Sequence, residues 1–188
     1  MNLKHLGDAL DHWKGSVFKL THTRRLRVLP MFTDEMKWTR KQLETYAKLL
    51  GVNREDILQT ETRFSNSCRR TYFDLPGPND LFLDPDTGIC INTRPNKEHL
   101  ATSDIAALLS KSRSRMLMIY QQRFVMVKMR ETIERVLSIK GLGEFHRFGF
   151  DAGQVGMVFI SRDQKRIAVA TKCLRSWLGP VASARIIH

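Results

Sequence analysis

Apolar residues recur at Leu3, Leu6, Leu10, Trp13, Val17 and Leu20, three or four apart, and predict an amphipathic helix. The apolar run over 26–29 is halted by Pro30 and reads as a strand. Thr39 with Gln42 has the form of a capping box, opening a helix that runs through Leu50 and stops at Gly51. Asn53 is placed to cap a short helix over 55–59. The stretch 63–73 carries no clear period, with an extended segment expected near 71–73, and Pro76-Gly77-Pro78 is a loop. A strand follows over 81–83, then a helix over 104–109 capped by Ser103. The continuous apolar run 116–120 predicts a buried strand, and 124–139 a long helix ending at Lys140-Gly141. The last elements are a strand over 155–160 and a helix over 163–177, within which 167–171 reads alternatively as a strand.

Strands alternating with helices predict an α/β fold with a mostly parallel sheet covered on both faces. The length of 188 residues predicts a single domain, 1–188, and the 42% apolar content is enough for a core. In such sheets, ligands bind outside the carboxyl ends of the strands. Those ends offer Met31 to Asp34; Asp84, Asp86 and Thr87; Tyr120 to Arg123; and Ser161 to Asp163.

Asp84 stands out among them, because Asp is a poor strand residue yet directly ends Leu81-Phe82-Leu83. Pro85 and Gly88 then turn the backbone, and turn chemistry alone accounts for Asp86 and Gly88. Asp84 is suited to hold a metal, act as a base or accept a hydrogen bond from a substrate amino group. On the first helix, His5, Asp8 and His12 share a face with Asp11 and Lys14, which reads as a solvated face or as a set of metal ligands. Gly7 and Gly15 within that helix imply close approach of another backbone.

Charge adds a partner. Lys and Arg outnumber Asp and Glu by 31 to 19, a net charge of +12, which favours polyanions such as DNA or RNA. Cations cluster at Arg69-Arg70 and over 111–130, where Lys111, Arg113, Arg115, Arg123, Lys128 and Arg130 stand with no acid between them. Gln121 and Gln122 offer amides suited to base edges. Cys68, Cys90 and Cys173, isolated and odd in number, imply a reducing, cytoplasmic setting. No run of 18 apolar residues occurs and the first residues do not form a signal peptide, so no membrane partner is expected. Neither a phosphate-binding glycine loop, a nucleophile elbow nor an HExxH motif is present.

The runs Leu6-Gly7-Asp8-Ala9-Leu10-Asp11-His12-Trp13-Lys14, Leu29-Pro30-Met31-Phe32-Thr33-Asp34, Leu81-Phe82-Leu83-Asp84-Pro85-Asp86-Thr87-Gly88 and Ile119-Tyr120-Gln121 resemble, in order and spacing, a widespread family of uncharacterised bacterial proteins. More remotely, the chain is similar to small Rossmann-like methyltransferases that act on adenine in ribosomal RNA. Those enzymes place an Asp-Pro-Pro-Tyr motif after a central strand, where the Asp accepts the amino group being methylated. Asp84-Pro85 matches its first half, whereas Asp86-Thr87 replaces the Pro-Tyr half and the glycine-rich cofactor loop has no counterpart. The resemblance implies a Rossmann-like domain and S-adenosylmethionine as cofactor.

The combined expectation is an enzyme, or a protein derived from one, that acts on nucleic acid. Asp84, Asp86 and Asp8 are the candidate catalytic residues, with Asp34 and Tyr120 as neighbours. Arg113, Arg115, Gln121, Arg123 and Lys128 are the candidate nucleic-acid contacts. Two mechanisms compete: a methyltransferase, and a nuclease whose carboxylates hold Mg2+ to activate water. The alternative is a non-catalytic nucleic-acid-binding protein on a decayed enzyme scaffold.

Overall fold

A computed structural model describes residues 6–21, 25–33, 37–91 and 95–188. The chain opens with α1 (Ala9–Leu20), β1 (Arg27–Leu29), α2 (Arg40–Leu50) and the short α3 (Arg69–Tyr72). Next come β2 (Leu81–Leu83), β3 (Gly88–Ile89), β4 (His99–Leu100), α4 (Thr102–Ser110) and β5 (Met116–Gln122). It closes with α5 (Met129–Leu137), β6 (His146–Asp151), β7 (Val155–Ser161), α6 (Gln164–Leu178), α7 (Ala182–Arg185) and β8 (Ile186–Ile187).

The α/β architecture is as expected, but the sheet is mixed rather than mostly parallel. Its six strands lie in the order β1-β2-β5-β7-β6-β8. β1, β2 and β5 run parallel, with Leu29 opposite Leu83 and Leu83 opposite Ile119. β7, β6 and β8 join antiparallel, starting with Met116 opposite Ser161. The cause is the strand over 146–151, absent from the sequence reading. It is linked to β7 by a turn of three residues, a connection that only antiparallel neighbours accept. Gly149 weakens its strand pattern. Its place is explained by packing: a Cβ there would fall 2.1 Å from Ile133 Cγ2 of α5. The antiparallel β7 also delivers Ser161 to Asp163 to the sheet edge opposite Asp84, so the four strand ends do not form one crevice.

Alternation along β5 divides the core. Met116, Met118 and Tyr120 face the side packed by α1, α2 and α6, while Leu117 and Ile119 face α4 and α5. α2 forms as the sequence predicts, with Thr39 and Gln42 bonded reciprocally and Gly51 left-handed at its end. Other boundaries shift. The segment 69–72 is helical rather than extended, with Tyr72 N–H donating to the Cys68 carbonyl at 2.8 Å. The predicted helix over 124–139 begins only at Met129, and a loop precedes it in which Phe124 N–H donates to Thr132 Oγ1. Residues 167–171 are helical, and α4 is opened by Asp104 reaching back to the Ala101 N–H rather than by Ser103. Gly7 stands before α1, but Gly15 sits inside it against the end of α2.

A Cβ at Gly15 would lie 2.7 Å from the Leu49 carbonyl oxygen and 2.9 Å from that of Leu50, both backbone atoms. Despite the higher helix propensity of alanine, Gly15→Ala is therefore expected to destabilise the fold by about 1–3 kcal/mol, read as a lower urea midpoint at unchanged slope.

Candidate functional site

Asp84 leaves the carboxyl end of β2 with its N–H donating to the Leu29 carbonyl, which extends the parallel ladder by one residue. Its side chain therefore points from a fixed backbone into the face covered by α1 and α2. There Lys14 Nζ donates to Asp84 Oδ2 at 2.9 Å and to Asp11 Oδ1 at 3.1 Å. The Tyr46 hydroxyl donates to the same Asp84 Oδ2 at 2.6 Å. Asp11 and Lys14 meet because residues three apart share a helix face. Tyr46 comes from the apolar stripe of α2, between Leu43 and Leu50. Lys14 Nζ also lies 4.6 Å from the centre of the Tyr120 ring, a cation–π contact.

The cluster is closed to solvent: Asp84 and Asp11 are 1% exposed, Lys14 4% and Tyr46 not at all. Burial alone would lower the Lys14 pKa, but Asp84 and Asp11 outweigh it and hold the ammonium above its ordinary value. Burial raises Asp11, against the pull of Lys14. Burial and the neighbouring Asp84 raise Tyr46 well above a free phenol, and burial pushes Tyr120 up to about 12. A lysine held protonated is no nucleophile, and the Asp84 oxygen occupied by both the ammonium and the Tyr46 hydroxyl is not open to a substrate. The arrangement acts as a brace joining α1, α2 and β2.

The remaining candidates take separate places. Asp8 is the N-cap of α1, its carboxylate accepting from the N–H groups of Leu10 and Asp11. Asp86 accepts a short hydrogen bond from Thr33 Oγ1, which links the ends of β1 and β2. Asp34 and His5 lie outside the described residues. Gln121 is fully buried, so it cannot read a base edge: Oε1 accepts from the Ile89 N–H at 2.8 Å and Nε2 donates to the Gln122 and Thr87 carbonyls. Arg115 cannot reach a phosphate. It is 1% exposed, and its guanidinium donates to the carbonyls of Asn79, Leu108, Leu75 and Gly77. Arg113, Arg123 and Lys128 are exposed. β5 separates Arg113 from the other two by seven residues, about 20 Å at the usual strand rise, so the acid-free stretch is not one basic face.

Lys14 and Tyr46 are the residues that the sequence reading missed as partners of Asp84. Lys14 stood on a face read as solvated, although its spacing from Asp11 hinted at a pair. Nothing local marked Tyr46 as more than core. Among the described residues no group of three or more His, Cys, Asp or Glu side chains is arranged to hold a metal ion. Mg2+ at Asp84 would confront the Lys14 ammonium already 2.9 Å from Oδ2. The buried Leu29 to Thr33 segment after β1 offers no glycine cradle for S-adenosylmethionine. The residues present fit neither group. Compared with family models, curated proteins and solved structures, the chain matches none.

Removing one member of a buried ion pair leaves the other unpaired. Lys14→Met is expected to cost about 3–5 kcal/mol in urea unfolding, and Tyr46→Phe about 1–3 kcal/mol. The double variant Lys14→Met with Asp84→Asn is expected to cost less than the sum of the single changes, which a double-mutant cycle reads directly.

The fold favours the protonated forms of Lys14, Tyr46 and Tyr120, whose ordinary values are 10.5, 10.0 and 10.0. Their contribution is complete below those values and is lost as pH rises through the higher folded-state values. The urea midpoint is therefore expected to fall above about pH 10, and less steeply in Lys14→Met than in the wild type. Parallel pH curves for the two proteins would remove the assignment to Lys14.

Proposed function

We propose that this protein binds nucleic acid, DNA or RNA, on a single Rossmann-like scaffold derived from an enzyme, and that the Asp84 cluster now serves the scaffold rather than chemistry. The observation that carries the reading is the surplus of twelve positive charges. Arg113, Arg123 and Lys128 keep part of that surplus on the surface. A field of this sign attracts phosphate chains and makes their affinity fall with salt. The enclosure of Asp84 between Lys14 and Tyr46 supports the non-catalytic part. The three free thiols suit a reducing, cytoplasmic compartment. Among the described residues no helix is long and apolar enough to cross a membrane.

One observation favours a second reading, that of an enzyme acting on nucleic acid. Lys14, Asp84, Tyr46 and Tyr120 converge at the carboxyl ends of the parallel strands, where α/β enzymes gather their reacting groups. Buried ionisable groups with displaced titration are common at such sites.

Fluorescence anisotropy with labelled DNA and RNA across a salt series tests the first reading. Log affinity is expected to fall linearly with log salt, and Asp84→Asn to bind as the wild type does wherever it remains folded. Thermal shift separates the two readings. A stabilising response to Mg2+ or S-adenosylmethionine, together with loss of nuclease or methyl transfer in Asp84→Asn, would establish the enzyme; an unmoved midpoint is expected of the binding protein.

A further inference from the structure

Two hollows flank the sheet edge opposite Asp84, one on the α6 face and one on the α4 face. One, of about 390 Å3, lies between α6 and the start of β6 and is lined by His146, Ile167, Thr171, Lys172, Arg175 and His188 among others. The second, of about 380 Å3, is lined by Leu109, Ser110, Arg113, Glu144 and Arg162. Both volumes fall in the range of pockets that enclose a small organic ligand, about 300–1,000 Å3. Glu144 to His146, leading into β6, and Arg162 to Gln164, leading from β7 into α6, run between them, next to the paired His146 and Ser161.

The charge along this path is one-sided. Arg113, Arg162, Lys172 and Arg175 line it against the one carboxylate of Glu144. Glu144 meets Arg162 only at 3.9 Å, and the Arg162 guanidinium lies over the Phe145 ring. Among the described residues Arg113 and Lys172 have no ion-pair partner. The floor has a different character. Ile167 and Ala168 are apolar, and the imidazoles of His146 and His188 stand at the rim. Arg175 Nη2 lies 3.0 Å from His188 Nε2, which fixes that ring beside a cation. Thr171 is 7% exposed, and its hydroxyl oxygen is buried without a hydrogen-bond partner. A polar edge entering the hollow would relieve that unpaired group.

We infer that this edge is a groove for single-stranded nucleic acid, with the rim cations on phosphates and the two hollows receiving unpaired bases. The inference rests on the nucleic-acid reading above and deepens it. A duplex presents phosphates with its bases stacked inside, so it would use the cations and leave the hollows unfilled. A single strand uses both, with one base beside the His146 and His188 rings, another in the second hollow, and salt-dependent phosphate contacts at the rim.

The test uses the full chain and labelled single-stranded and duplex oligonucleotides of equal length. The groove variant combines Arg113→Gln, Arg162→Gln, Lys172→Gln and Arg175→Gln. A control combines Lys41→Gln and Lys48→Gln, both exposed on α2. Melting temperature checks that both variants fold. The wild type is expected to prefer the single strand. The groove variant is expected to lose at least about tenfold in affinity, with a salt slope shallower by about 3, since each phosphate contact on a single strand contributes about 0.7. Preference for the duplex, or loss in the control variant but not in the groove variant, overturns the groove and leaves the nucleic-acid reading standing. No binding of either oligonucleotide by the wild type at low salt overturns that reading as well.

Discussion

Lys14 is the point through which the parallel half of the sheet is tied to its helices. One ammonium answers Asp11 on its own helix and Asp84 at the end of β2, while Tyr46 fixes the same carboxylate from α2. Three elements distant in sequence share one oxygen atom, and none of the four groups is more than 4% exposed. Charges taken so far from water are tolerable only when every partner is in place. The position of α1 on the sheet, the close approach of Gly15 to the end of α2, and the enclosure of Asp84 all depend on that one arrangement.

A second buried cation does comparable work at the other edge. Arg115 gathers the carbonyls of Leu75, Gly77, Asn79 and Leu108, so one side chain orders the loop before β2 and the end of α4. Asp80 accepts the Met116 N–H and pairs with Arg166 of α6. Some of this protein's basic residues are therefore internal fasteners, and net charge overstates the number that a polyanion can meet.

Much of the fold could be read from local chemistry. The capping box at Thr39, the proline after Leu29, and the apolar runs of β2 and β5 each declare themselves within a few residues. Asp84 was also legible as exceptional, because a carboxylate at the end of an apolar strand needs a partner. What could not be read was the partner's identity, since Lys14 and Tyr46 are placed by tertiary packing and carry no local mark. β6 escaped because Gly149 and the polar His146 and Arg147 blur its alternation, and its absence made the sheet seem mostly parallel. The acid-free stretch misled for a related reason. Seven strand residues inside it carry its two ends to opposite edges and turn Arg115 and Gln121 inward.

The brace has a consequence for the order in which the chain assembles. Lys14 and Asp84 are 70 residues apart in sequence. During synthesis α1 emerges with only Asp11 to answer its lysine, and β1, α2, α3 and β2 must be made before Asp84 arrives. A helix kept amphipathic by an ammonium destined for burial stays wet until that distant carboxylate closes a long loop, an entropic step that precedes any reward. The helix α1 is thus made well before the residue that anchors it.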